Sequence, residues 1–356
     1  MDNDKSAFLE KYKDCAEVWA LEIIWQAKQS NATELAILGD KVNDLLPLKD
    51  LVNLRVLDVH STQVSNLMPL KDLVNLQELY VYMTQVSDLL PLKDLVNLQK
   101  LNVSYTQVSD LLPLKDLVNL RQLNVNSTQV SDLLPLKDLV NLQKLDVHNT
   151  QVSDLLPLKD LVNLQQLNVY NTQLSDLMPL KDLVNLRVLD VHSTQVSNLM
   201  PLKDLIEKGI KVEWKRASLL TVLHFNNGGK VNGIYIEDCP LSNPHIEIAK
   251  QGNAAILRYW AEQERSGLKQ LNEARLLIVG QGGAGKTTLK EKLKNPHAAM
   301  PEPDMMTRGI VIEPLVFKNT EGRFYAANLG FWWSKYPALC PPVFYVRLCR
   351  VCLALE

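Results

Sequence analysis

Eight prolines, at positions 47, 69, 91, 113, 135, 157, 179 and 201, stand 22 residues apart without an insertion, and nearly all are followed by Leu-Lys-Asp-Leu-Val-Asn-Leu. A unit of this length cannot bury its own apolar face, so the units must stack and share one continuous core. One of them reads Leu54-Arg-Val-Leu57-Asp-Val59-His-Ser-Thr62-Gln-Val64-Ser-Asn-Leu67-Met-Pro69-Leu70-Lys-Asp-Leu73. The alternation at its start predicts a short strand, and the spacing turns helical after the proline. Proline suits the first position of a helical turn, where its missing N–H has no partner to lose.

This unit resembles the leucine-rich repeat in its short form, which implies a curved solenoid lined with strands on its concave side. Leu54, Leu57, Val59, Val64, Leu67, Leu70 and Leu73 are the expected inward positions. Three positions per unit are left facing the concave side, from Val56, Asp58 and His60 to Val188, Asp190 and His192. Tyr80, Tyr82, Lys100, Asn124, Lys144 and Tyr170 are the candidate protein-binding residues of that face. A polar, mixed-charge surface with three tyrosines suits a protein ligand, because tyrosine gives a large contact area at low entropic cost. It equally suits a merely solvated sheet face. His60, His148 and His192 stand beside Asp58, Asp146 and Asp190, but copying of one unit explains the recurrence without metal or catalytic chemistry.

Terminal units of a stacked array need caps. Residues 1–31 form the expected N-terminal cap, a single amphipathic helix over about residues 5–30 carrying Phe8, Tyr12, Trp19, Leu21, Ile24 and Trp25. The solenoid with its C-terminal cap is expected over 32–244. Ile210–Trp214 closes the regular array there, and Gly233–Pro240 forms a final strand and exit loop. A connecting helix over 245–272, interrupted near Gly252, completes the reading of this half.

Composition narrows the function classes. Over 356 residues, 46% are apolar and 22% charged, which excludes wholesale disorder, a collagen-like chain and a membrane bundle. Lys and Arg total 38 against 40 Asp and Glu, so nothing in the charge favours nucleic acid or an anionic membrane. The sequence shows no helix-length apolar run and no signal peptide, which leads to the expectation of a cytoplasmic protein. Five cysteines argue against a disulfide framework.

The chemistry-bearing motif comes late. Arg275-Leu-Leu-Ile-Val279 is an apolar run of strand type, followed by Gly280-Gln281-Gly282-Gly283-Ala284-Gly285-Lys286-Thr287-Thr288 and then Leu289-Lys-Glu-Lys-Leu293. This is the phosphate-binding pattern G-x-x-x-x-G-K-[ST] in its required context of strand before and helix after. Glycines let successive backbone N–H groups point at phosphate oxygens, and the positive end of the following helix strengthens that field. Lys286 is placed to reach the β- and γ-phosphates, and the Thr287 hydroxyl to bind Mg²⁺. Downstream, Thr307 lies in a loop leading into the apolar run of Gly309-Ile-Val-Ile, where a GTPase carries the threonine that completes the Mg²⁺ shell.

A repeat array joined by one helix to Gln270-Leu-Asn-Glu-Ala-Arg-Leu-Leu-Ile-Val-Gly-Gln-Gly-Gly-Ala-Gly-Lys-Thr-Thr resembles the bacterial members of the Roco family over residues 1–329. In that family leucine-rich repeats precede a Ras-like GTPase domain, Roc, and a dimerisation domain, COR. The resemblance implies an α/β fold class, with the solenoid followed by the N-terminal part of a P-loop NTPase (Ras-like) domain over 273–329. It also implies GTP and GDP as ligands, with Mg²⁺ as cofactor.

The family pattern then breaks. Arg323–Leu329 is the expected next strand and should end in Trp-Asp-x-Gly-Gly-Gln, but the chain reads Leu329-Gly-Phe-Trp-Trp-Ser. The base-reading Asn-Lys-x-Asp motif and the COR domain are also missing from the sequence. Codons for Leu329 to Ser334, read one nucleotide later, permit Trp-Asp-Phe-Gly-Gly-Gln, and the two glycines are forced because TGG-TGG-T becomes GGT-GGT. Residues 330–356 are therefore expected to be out-of-frame sequence. In that light Cys349-Arg-Val-Cys352 is a lone C-x-x-C rather than a metal or redox site.

Three functions follow from this reading. The first is a GTP-binding Roco-type switch with a repeat scaffold, truncated and deficient in hydrolysis. The second is a pure protein-interaction module without nucleotide turnover. The third is a fragment of a P-loop ATPase of another class, since the loop reads phosphate and not base.

Overall fold

The computed structural model describes residues 2–214 and 232–266, residue 297, and four strands at 275–279, 315–319, 322–326 and 345–349. The chain divides into two compact units, Met1–Glu262 and Gln263–Glu356.

In the first unit each repeat contributes one three-residue strand. These are β1 (Glu34–Ala36), β2 (Val56–Asp58), β3 (Glu78–Tyr80), β4 (Lys100–Asn102), β5 (Gln122–Asn124), β6 (Lys144–Asp146), β7 (Gln166–Asn168) and β8 (Val188–Asp190). All pair in parallel with an offset of one repeat, so Leu57, Leu79, Leu101 and Leu123 lie in one row. That central leucine is buried in every strand while its neighbours on the pleat face outward. The result is a leucine-rich-repeat solenoid, as the 22-residue period requires.

The turn opposite each strand is a 3₁₀ turn, such as Leu90–Leu92, with proline in its first positions. The inward leucines explain why it is not α-helical. Leu92, Leu95 and Leu98 are three residues apart, and three residues per turn is the 3₁₀ repeat. The N–H groups of Leu92, Leu95 and Leu98 accordingly donate to carbonyls three residues back, at 2.9–3.0 Å.

Polar side chains close what the turns leave open. The Oδ1 atom of Asp88 accepts the N–H of Leu90 at 2.8 Å, and an Asp or Asn does the same in every repeat from Asp44 to Asn198. Asn97 Nδ2 donates to the Val74 carbonyl of the preceding repeat at 2.9 Å, and this bond recurs up to Asn185. Buried threonines such as Thr106 donate their hydroxyl to the carbonyl three residues back, Val103, at 2.6 Å.

Three residues beyond the end of each strand the backbone is left-handed, with φ of 51–55° at Ser61, Met83, Tyr105, Ser127, Asn149, Asn171 and Ser193. The neighbouring repeat enforces it, since each of these N–H groups donates across to it, as Met83 does to Ser104 O at 3.0 Å. Asn tolerates this region far better than Met or Tyr.

The N-terminal cap is two helices, α1 (Asp2–Tyr12) and α2 (Val18–Ser30), instead of the single helix expected. The break has a specific cause. The Cys15 carbonyl accepts the N–H groups of Asn43 and Asp44, at 3.1 and 3.2 Å, and so serves the first repeat instead of a helix. Phe8, Tyr12, Leu21 and Ile24 are buried beside Leu35 and Ile37, whereas Trp19 stays partly exposed.

At the other end the strand order departs from expectation. Val212–Glu213 (β9) was expected to close the array beside β8, but Gly233–Tyr235 (β10) takes that place and β9 lies outside it. The last repeat lacks the Leu-Val-Asn-Leu stretch, and its residues form a helix, α3 (Lys203–Glu207), with Ile206 buried and Gly209 at φ 91° behind it. Asn253 holds the displaced segment, donating to the carbonyls of Ile206 and Ile210 and accepting the N–H of Val212.

The expected connecting helix is α4 (Ile246–Ala249) and α5 (Asn253–Ser266), broken at Gly252 as anticipated. It also belongs to the solenoid's core. Ala249, Ile256 and Trp260 are buried there, and Trp260 Nε1 donates to Asn243 Oδ1 at 2.8 Å.

The second unit contains β11 (Arg275–Val279), paired antiparallel with β14 (Tyr345–Cys349), and a hairpin of β12 (Leu315–Asn319) and β13 (Gly322–Ala326). Strands fall on the two segments expected from the sequence at 275–279 and near 323–329. The strand at 345–349 lies in the stretch expected to be out of frame.

Two substitutions test the ladder and the left-handed position. Asn119→Ala, which removes the bond to the Val96 carbonyl, is expected to cost about 1 kcal/mol. Tyr105→Asn is expected to add about 0.5–1 kcal/mol by relieving the backbone. Urea denaturation of the variants against the parent protein measures both.

Candidate functional site

Parallel register places the outward strand residues in rows running along the solenoid. Val56, Glu78, Lys100, Gln122, Lys144, Gln166 and Val188 form the first row, each about 4.8 Å from the next. Asp58, Tyr80, Asn102, Asn124, Asp146, Asn168 and Asp190 form the second.

The second row has a structural duty. Asp58, Asn102, Asn124, Asp146, Asn168 and Asp190 each accept, through Oδ1, the N–H of the residue two positions on, at 3.0–3.2 Å. These carboxylates and amides hold the strand end in its turn. The histidines use the same atoms, with His60 Nδ1 at 2.7 Å from Asp58 Oδ1 and His148 Nδ1 at 2.6 Å from Asp146 Oδ1. His192 pairs with Asp190 in the same way. Among the described residues no group of three or more His, Cys, Asp or Glu is placed to hold a metal ion.

The face is not uniform. In its later part Asp146, His148, Asn168, Asp190 and His192 are buried, and Tyr170 stacks between His148 and His192 with ring centroids 5.2 and 4.0 Å away. This half is a packed, internally bonded layer, which corrects the picture of an evenly solvated sheet. The candidate Tyr170 belongs to that layer.

The open part lies earlier. Tyr80, Tyr82, Lys100, Asn102, Ser104, Gln122, Asn124 and Asn126 line a concavity of about 210 Å³, with Met83 and Tyr105 at its rim. Four of the six candidates, Tyr80, Tyr82, Lys100 and Asn124, meet here. Lys144 continues the first row one strand beyond Gln122. The sequence places Gln122 and Asn126 on the concave face without marking them as binding residues, and does not single out Met83 or Tyr105. The variation of the two residues after each Leu-x-Val strand end, from His-Ser to Tyr-Met, Ser-Tyr and Asn-Ser, is the signal that marks Met83, Tyr105 and Asn126.

The charges within the groove are already matched. Glu78 accepts from Lys100 Nζ at 2.8 Å and from the Tyr80 hydroxyl at 2.7 Å. Burial alone would raise the Glu78 pKa, but these two donors hold it below the usual carboxylate value. Burial, and then Glu78, push the Tyr80 phenol well above its ordinary range. Lys144 is lowered, first by burial and then by Lys100. One group is left over. Asn126 is 5% exposed, its Nδ2 donates to Asn124 Oδ1 at 2.7 Å, and its own Oδ1 is buried without a hydrogen-bond partner.

The phosphate-loop residues Gly280, Gln281, Gly282, Gly283, Ala284, Gly285, Lys286, Thr287 and Thr288, and the Mg²⁺ candidate Thr307, lie outside the described residues. Among the described residues no helix is long and apolar enough to cross a membrane.

No protein-family model and no curated protein matches this chain. Solved structures resemble about half of it. Internalin C2 from Listeria monocytogenes is 32% identical, over 51% of this chain and 80% of that one, with a TM-score of 0.49. A second Listeria monocytogenes internalin is 26% identical over 49% of this chain and 65% of its own, at 0.43. A leucine-rich-repeat protein of Leptospira interrogans is 24% identical over 51% of this chain and 48% of its own, at 0.45.

The depressed Glu78 fixes the sign of one pH effect. Its folded pKa lies below the unfolded value near 4.5, so its contribution is complete above that pH and is lost as pH falls through the folded value. Glu78→Gln is expected to flatten the acid limb of stability below about pH 5 while leaving its shape at pH 7–8 unchanged. Urea midpoints from pH 3 to 8 report it.

Proposed function

We propose that this protein is a repeat scaffold that binds an extended polypeptide across the concave face of its third to fifth repeats. The observation that carries the reading is a concavity on the strand face lined by Tyr80, Tyr82 and the side-chain amide of Asn126. Phenol rings give an extended peptide contact area, and side-chain amides both donate to and accept from its backbone. Asn102, Gln122 and Asn124 supply further amide groups, and Tyr82 offers a flat ring stacked on His60 at 4.3 Å. The Glu78–Lys100 pair leaves little net charge nearby, which favours a neutral, extended ligand over a polyanion.

Random-peptide phage display on the full chain tests this. Enriched peptides are expected to bind at least about tenfold more weakly to Gln122→Ala and Asn126→Ala chains that unfold at the parent's urea midpoint. Peptides that bind all three chains equally would dismiss the groove as their site.

The finer reading, a GTP-binding Roco-type protein deficient in hydrolysis, rests on the sequence from Gly280 to Thr288 directly after the strand Arg275–Val279. On that reading Lys286 holds the β- and γ-phosphates, and Thr287 and Thr307 would hold Mg²⁺, which neutralises phosphate charge when bound. Titration with a fluorescent GDP analogue in Mg²⁺ is expected to show binding that Lys286→Ala abolishes and that GTP competes for better than ATP. Equal competition by ATP selects the P-loop ATPase alternative, and no binding leaves the interaction scaffold alone.

A further inference from the structure

The outer turns carry a surface that the concave groove does not use. Each unit runs Leu-Pro-Leu-Lys-Asp-Leu-Val through its turn, and its outward residues in order are an apolar one, Lys, Asp and a second apolar one. Leu112 and Leu134 represent the first apolar row, 57% and 56% exposed, and Val118 and Val140 the second, 46% and 48% exposed. Equivalent positions are exposed Leu, Met or Val in every unit from Leu46 to Val184. Large apolar side chains scattered singly on a surface need no explanation, but two continuous rows along a whole array do.

Between the apolar rows run parallel rows of cations and anions. Lys115 and Asp116 are 3.7 Å apart, and Lys137 and Asp138 3.9 Å, with both partners of each pair more than half exposed. Such neighbouring pairs are weak in water and remain open to a second partner.

We infer that this face is a homotypic interface, and that a second copy of the chain packs against it. The row order selects the symmetry. A two-fold axis across the solenoid would lay Lys on Lys and Asp on Asp. An axis along the solenoid reverses the rows, setting Lys against Asp and the leucine row against the valine row, with the repeats of both copies running in the same direction. The face is then self-complementary in charge and in apolar character, as an isologous contact requires. Identical spacing in both copies keeps the repeats in contact in step. The central repeats offer a double row of half-exposed Leu and Val for such a contact to bury.

Charge-row variants of the full chain decide it. One carries Asp116→Lys, Asp138→Lys and Asp160→Lys, and the other Lys115→Asp, Lys137→Asp and Lys159→Asp. None of these side chains holds a turn, so both variants should fold, as checked by circular dichroism and urea midpoint. In sedimentation equilibrium the parent protein is expected to dimerise. Each variant alone should dissociate at least about a hundredfold more readily, and an equimolar mixture should recover the dimer as a heterodimer. A second set, Leu112→Thr, Leu134→Thr and Leu156→Thr, should weaken the parent dimer without altering charge. A parent protein that stays monomeric at about 100 μM, or variants that dimerise like the parent, would overturn the proposal. Recovery in the mixture cannot arise from misfolded chains.

Discussion

Every other feature of the solenoid depends on one constraint, that no repeat owns a core. Leu57, Leu79, Leu101 and Leu123 become buried only because the next strand places its own leucine in the same row. The neighbours supply the rest of the enclosure through Leu92, Leu95 and Leu98, whose spacing of three sets the 3₁₀ geometry of the turn. A fixed period follows, because one residue more or less would rotate half of these side chains outward. The last repeat shows the consequence. Where Leu-Val-Asn-Leu gives way to α3, β9 is carried past its place and β10 fills it.

The polar residues of the repeat serve the same constraint. Burying so much backbone leaves N–H and C=O groups that water cannot reach, and each needs a partner. Asn97 reaches the preceding repeat, Asp88 caps the turn, and Thr106 closes on its own strand end. These positions scarcely vary between units, and the structure accounts for nearly all of them. Variation is concentrated on the concave side, in the outward strand rows and the strand exits, where side chains face the groove or stack on one another.

This division explains what the sequence could disclose. The period, the inward leucines, the strand positions, the break at Gly252 and the strand at Arg275–Val279 follow from local pattern alone. The split of the N-terminal cap does not, because it depends on the Cys15 carbonyl meeting Asn43 and Asp44 across the chain. Nor does the burial of Asp146, His148, Asp190 and His192, since no single repeat reveals that Tyr170 will fill the space between two imidazoles. Four of the six candidates for the concave face share a groove, but Asn126, which lines it beside them, reads in the sequence as one more amide in a variable position.

The two faces of the array obey opposite rules, and the contrast bears on what each can bind. On the concave side, His60, Tyr82, Ser104, Asn126, His148, Tyr170 and His192 occupy one equivalent position, so the surface differs at every step. A partner there must itself be irregular and will find only one register. On the outer turns the same Lys-Asp pair and the same valine recur in each of the regular units. Such a surface has no unique register for an irregular partner, but a second copy carries the same spacing and meets it in step wherever the two are in contact. Copying one unit therefore produces a surface suited to self-association, while divergence at the strand exits produces one suited to a different molecule.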